Sequence, residues 1–202
     1  MRRHVLVFSV VGLALAGTAG AAVQKGDTEA GVLGGWLSGD GGNHGVDFDA
    51  WFLSGRLGRF LTDNIEISGV VVAMHQKEQW AASETGFESL PGSVKHESEV
   101  FALGAQFAYH FMPTNRWVPY VGVQLFWANA EVKEDYPTED VYDWSRDEDG
   151  CLYGPILGFR LELAANSDFF VEYQYHRWCG GVEDILGKDG HGLFLGIVYT
   201  LD

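Results

Sequence analysis

From Glu29 onward the chain alternates large apolar residues with small or polar ones at a period of two, the signature of strands whose side chains point to opposite faces. Eight segments carry the pattern: Glu29 to Ser38, Asp49 to Phe60, Asn64 to Gln76, Ser98 to Phe111, Val118 to Val132, Cys151 to Ala164, Phe169 to Gly180 and Gly190 to Leu201. The connections "LTD", "MPTNRW" and "ANS" are short, whereas "GDGGNHGV", "KEQWAASETGFESLPGSVKHE", "KEDYPTEDVYDWSRDEDG" and "GGVEDILGKD" are longer and polar. Long and short alternate strictly, so in an up-and-down antiparallel arrangement all long loops gather at one end and all short turns at the other.

The two faces of these strands differ in kind. In the fourth segment Phe101, Leu103, Ala105, Phe107 and Tyr109 oppose Ala102, Gly104, Gln106, Ala108 and His110. In the sixth, Leu157, Phe159, Leu161 and Leu163 oppose Gly158, Arg160 and Glu162. A solvent-facing strand surface rarely carries this much glycine, whereas the interior of a narrow barrel needs small residues to fit its taper. The glycine-rich face with its few charges therefore points inward and the aliphatic face meets lipid. A soluble eight-stranded barrel with an apolar cavity would need many charges on its other face, and that face is too poor in them. The expected fold class is all-β, an eight-stranded antiparallel up-and-down transmembrane β-barrel, narrow enough for side chains to fill its lumen. Trp36, Trp51, Trp127 and Trp178 near the long-loop ends, with Tyr109, Tyr120, Phe169 and Tyr199 near the short-turn ends, are the expected interfacial girdles.

The N-terminus agrees with this assignment. "MRR" precedes an apolar run from Val5 to Ala16 and a small-residue stretch ending Ala19-x-Ala21, the layout of a cleaved signal peptide over residues 1–22, with the barrel over 23–202. The apolar run is shorter than the roughly 20 residues of a spanning helix. The chain carries 13 Lys+Arg against 28 Asp+Glu, a formal charge of −15. Losing Arg2 and Arg3 takes this to −17, which offers no basic surface to nucleic acid.

Signal peptide, eight strands and alternating loop lengths, with phrases such as "VPYVGVQLFW" and "FFVEYQYHRW", resemble the small outer-membrane β-barrel proteins of Gram-negative bacteria, the porin-like barrel families. The resemblance implies a cell outer membrane location, a monomer in contact with outer-membrane lipid and lipopolysaccharide, delivery by the barrel assembly machinery, and no cofactor. Such chains usually end in an aromatic residue; this one ends Tyr199-Thr200-Leu201-Asp202.

Parity places Arg56, Glu66, Arg160, Glu162 and Glu172 inside, with Gln106, Gln124, Gln174 and His176. About a turn centred on Asn166, Arg160 faces Glu172 or lies diagonal to it. Charges in so narrow a lumen need partners, which points to an ion-pair network plugging the barrel; a gate or narrow ion path is the alternative. Cys151 opens the sixth segment and Cys179 closes the seventh, in nearly the same register and with outward parity. In an oxidising exported compartment they are expected to form a disulfide, with two free thiols, or a bulge at Pro155, as the alternative.

"VEYQYHRWCGG" is also similar to the late strand of the lipid A deacylase family, where a His-x-Ser-Asn motif supplies base and nucleophile. After His176, however, Trp178 stands in the serine position and Cys179 in that of asparagine. The resemblance therefore implies no hydrolysis unless the motif is rearranged around His176. Nine acids lie between Glu131 and Asp149, and Asp147-x-Asp149-Gly150 is a fragment of a calcium loop lacking its first and twelfth ligands. A solvated loop is expected there, with weak divalent-cation binding, bridging to lipopolysaccharide, as the sharper alternative.

Overall fold

The computed structural model describes residues 24–39, 47–81, 93–135, 144–164, 166–186 and 188–201. The expected signal peptide, residues 1–22, and most of three long loops lie outside these residues.

Eight strands form one closed antiparallel barrel in sequence order. They are β1 (Thr28–Gly39), β2 (Asp47–Phe60), β3 (Ile65–Ala81), β4 (Ser93–His110), β5 (Trp117–Asp135), β6 (Trp144–Ala164), β7 (Ser167–Gly180) and β8 (Asp189–Leu201). Each expected segment is one strand. Several run further toward the long-loop end than the alternation suggests, because hairpin pairing persists once started: β5 and β6 stay in register as far as Glu134–Trp144. Asp147 and Asp149, read from sequence as loop residues, consequently lie in β6, where both accept hydrogen bonds from Asn129 Nδ2 (2.5 and 3.2 Å). No metal-ligating cluster occurs among the described residues.

The faces divide as the parity argument requires. Leu57, Leu103, Val123, Leu125, Leu157 and Leu193 are all exposed, while Ala102, Gln124, Arg160, Glu172 and Val198 are buried. A belt of exposed aliphatics around a polar interior is the inverse of a water-soluble protein. On β5 the belt is bracketed by the exposed Trp117 and Trp127. Ten residue steps at about 3.3 Å, on a strand tilted about 40°, rise about 25 Å, the height of a transmembrane barrel's apolar band.

Two girdle assignments are corrected. Tyr120 is 1% exposed and Trp178 7%; both point into the lumen. Their even numbers on β5 and β7 share the parity of Gln124 and Gln174, and parity overrides nearness to a strand end. Trp51, Trp127 and Tyr109 are exposed as expected; the side chain of Trp36 is outside the described set.

The connection after β7, expected to be a polar loop, contains a short helix, α1 (Gly181–Leu186). Val182, Ile185 and Leu186 occupy helical spacing, and Val182 is fully buried against the lumen cluster of Val100, Ala128, Ala130 and Trp178. Arg146 on β6 holds the helix through Asp184 (3.2 Å). Above the girdle, Lys77 pairs with Glu97 at 2.7 Å, and that hydrogen bond holds the Glu97 carboxyl below its ordinary value.

Candidate functional site

The short-turn half of the lumen is filled by a charge network to which every strand contributes. Arg56 Nη2 on β2 meets Glu66 Oε1 on β3 at 2.6 Å. Ser68 Oγ donates to the same oxygen (2.6 Å), and His110 Nε2 on β4 donates to Glu66 Oε2 (2.9 Å). Arg160 Nη2 on β6 reaches across the lumen to Glu29 Oε1 on β1 (2.6 Å) and along its own hairpin to Asp168 Oδ2 on β7 (2.6 Å). Thr200 on β8 also donates to Glu29 (3.4 Å). Tyr120 on β5 donates its hydroxyl to Glu172 Oε2 on β7 (2.8 Å), whose other oxygen accepts from Gln174 (2.5 Å).

Apolar rings close the remaining space. Arg56 lies over the Phe170 ring (5.3 Å) and Arg160 over Phe60 (5.8 Å), both cation–π distances. His110 stacks on Tyr120 with centroids 5.1 Å apart. Glycines make the room: a Cβ on Gly158 would strike the Tyr120 ring and its hydroxyl, and one on Gly31 would stand 2.8 Å from Arg56 Cγ.

Of the residues singled out from sequence, Arg56, Glu66, Arg160 and Glu172 lie together in this network. Two of the six lie apart from it. Glu162 is half-buried near the short-turn end, with no ion pair among the described residues. His176 stands higher in the lumen, edge-on to Trp178 with ring centroids 5.1 Å apart. Its Nδ1 has no hydrogen-bond partner among the described residues, so the ring is held by packing. Arg160 faces Phe170, and Glu172 faces Gly158, across the hairpin. The real register is two residues from the one centred on Asn166, and it changes by one between Glu162 and Ala164. Glu29, Asp168, His110 and Tyr120 were not in the expected set. The inward parity of His110 and Tyr120 was visible in the chain; the roles of Glu29 and Asp168 depend on barrel closure.

That same register places Cys151 directly opposite Cys179, Cα atoms 5.1 Å apart, and the two form a disulfide.

Above the network the lumen changes character. Gln106 donates to Gln124 (3.4 Å), and over this pair opens a cavity of about 800 Å³ walled by Val70, Val72, Met74, Val100, Phe126 and Leu152, with His176 and Trp178 at its side. The barrel thus has a charged, filled lower half and an apolar, partly empty upper half.

No curated protein sequence matches the chain significantly. Among solved structures, Ail, the attachment invasion locus protein of Yersinia pestis, in complex with the heparin analogue sucrose octasulfate, aligns with TM-score 0.55 at 9% identity, covering 88% of this chain and 99% of Ail. Neisserial surface protein A aligns at 0.48 and 12%, over 86% of this chain and 94% of its own. The N-terminal β-barrel domain of Pseudomonas aeruginosa OprF aligns at 0.44 and 16%, over 88% and 99%. At such identities the Ail likeness speaks to the fold alone, and it agrees with the eight-stranded barrel. The family model for the outer membrane protein beta-barrel domain matches residues 8–188. With lipid-facing belt, polar lumen and sequence match in agreement, the chain belongs to the outer membrane protein beta-barrel domain family, a barrel of the outer membrane.

Proposed function

We propose that this is a non-catalytic, monomeric, ion-tight outer-membrane barrel with a structural or surface-interaction role, exported by its signal peptide and inserted by the barrel assembly machinery among outer-membrane lipid and lipopolysaccharide. The observation that carries the reading is the lumen network. The Arg160–Glu29 and Tyr120–Glu172 bonds join strands that are not neighbours, so they bar the pore rather than line it. A hydrated ion would have to break bonds between groups buried almost completely, at several kcal/mol each. His176 packs on Trp178, at the position where a deacylase-like esterase needs a serine hydroxyl within hydrogen-bond reach.

The long-loop end is acidic, with Glu99, Glu131, Asp147, Asp149 and Asp184. A polyanion such as the heparin analogue held by Ail is therefore not the surface ligand proposed here. Planar-bilayer recording tests the reading: no unitary conductance is expected from the wild-type barrel, and stepwise ohmic openings would overturn it. Lipid A mass spectrometry with and without expression tests the catalytic half, where loss of an acyl chain dependent on His176 would refute it.

A further inference from the structure

The barrel closes through β1 and β8, and this seam is paired over only part of its length. Pairing runs from Thr28–Leu201 to Leu33–Gly196. Beyond it β1 continues to Gly39 along β2, and β8 reaches back to Asp189 along β7. Gly34–Gly39 and Asp189–Leu195 have no described pairing with each other. Trp51, exposed and in register with Trp36, marks the upper girdle. From the last paired row, at Leu33, to the girdle row at Trp36 is three steps, about 10 Å at strand rise, within the half of the apolar band nearer the long loops. Unpaired strand edges at that depth are tolerated where they are buried in protein or line a water-filled cavity, so water stays at the open rows beside any apolar occupant.

They border the 800 Å³ cavity. Its lining includes Gly35, Gly190 and Gly192 on the two seam strands, and it passes from the inward-facing Phe52 and Phe194 to Trp51, Tyr173 and Leu193. The last three are exposed on the lipid-facing side, so the cavity lies directly behind the unpaired seam. Phe52 and Phe194 meet edge to face just inside, centroids 5.0 Å apart. A Cβ on Gly35 would strike Phe52, and one on Gly192 would stand 2.8 Å from the Phe194 ring; only glycine leaves both rings in place. Below, the charge network fills the lumen, and above, α1 packs against Trp178 on one side.

The volume is that of a small-molecule site, and what lies against Val32, Leu53 and Leu193 beside the opening is lipid. The network beneath sets four carboxylates (Glu29, Glu66, Asp168, Glu172) against Arg56 and Arg160, a surplus of negative charge that repels an anionic head from the cavity floor. We propose that the lumen binds a single acyl chain, drawn tail-first from the adjacent leaflet through the β1–β8 seam, with its headgroup left at the girdle.

This rests on the membrane-barrel reading, and the test separates the two. The mature barrel is reconstituted in phosphatidylcholine vesicles containing a trace of phosphatidylcholine with a diazirine near one chain terminus, photolysed, and mapped by peptide mass spectrometry. Labelling of the inward-facing Met74 and Phe126, besides the outward-facing Val123 and Leu125, supports the proposal. Belt labelling alone overturns it and leaves the membrane reading intact; no labelling of either overturns the membrane reading. Two variants, checked for folding by heat-modifiable gel mobility, fix the route and the site. Gly34→Cys with Leu195→Cys, at positions that would pair if the seam register continued, locks the wall, and Ala102→Trp fills the cavity. Both are expected to lose Met74 and Phe126 labelling; retention in the locked barrel refutes lateral entry. A diazirine fatty acid added from water separates the sources: if it labels Met74 in the locked barrel, entry is through the mouth and the seam route is wrong.

Discussion

Replacing Arg160 by Met tests whether the lumen network is a mutually dependent set of charges. The methionine keeps most of the stem that lies over Phe60 and removes both 2.6 Å ion pairs. Glu29 is 0% exposed and Arg160 2%, so the carboxylate left behind has only Thr200, at 3.4 Å. Removing one partner of such a buried pair costs about 3–5 kcal/mol. Two charge-assisted hydrogen bonds at about 1.5–3 kcal/mol each give a similar range. Two considerations hold the value to the lower part: Arg160 Nε and Nη1 have no partners among the described residues, and Asp168 is partly open to water. We expect about 4 kcal/mol, read as a downward shift of about 1 M in the guanidinium midpoint for an m-value of about 4 kcal/mol/M. Tryptophan fluorescence of the barrel in detergent micelles reports the transition. Adding Glu29→Gln to Arg160→Met removes the stranded charge and should restore roughly half of the loss, a coupling that a double-mutant cycle measures directly. A loss below about 1 kcal/mol for the single variant, or additivity in the cycle, would show that the two groups reach water and that the network is not the closed plug described above.

Other substitutions probe the remaining elements of the barrel. Val123→Arg puts a charge near the middle of the lipid-facing band and should cost about 2–4 kcal/mol in vesicle refolding, against about 0–1 kcal/mol for the same change near the girdle. Gly158→Val drives a branched side chain into the Tyr120 ring and should lower stability by about 1–3 kcal/mol, read as a lower temperature for loss of the compact gel band. Cys179→Ser opens a cross-link between residues 28 apart in sequence; about 3 kcal/mol of denatured-state restraint is expected to go, with reduction of the wild type giving the same midpoint shift. Glu162→Gln, outside the network, should stay within about 0.5 kcal/mol of wild type.

Much of this architecture is legible in the sequence for a local reason. Strand parity has a period of two, so a single anchored position such as Leu125 orients its whole strand, and hairpin partners follow from turn position. That logic orients every strand, brings Cys151 to Cys179, and sends Arg56, Glu66, Arg160 and Glu172 inward. The same parity holds the correct answer for Tyr120 and Trp178, which strand-end position obscures. The helix over Gly181–Leu186 is signalled by the spacing of Val182, Ile185 and Leu186, but it is too short for periodicity to separate it from a loop.

What the sequence could not decide is whatever depends on how the sheet closes. Glu29 and Arg160 are 131 residues apart, and no hairpin rule relates β1 to β6. They meet because eight tilted strands with a particular stagger bring one row of β1 to the height of one row of β6. The split of the lumen into a charged lower half and an apolar upper half has the same origin, since parity says which residues point inward but not which share a layer. The partly unpaired seam is likewise a property of the last pairing made, between the two ends of the barrel. The amino-acid pattern determines the strands and their faces; closure determines which inward residues touch, and where the wall is left open.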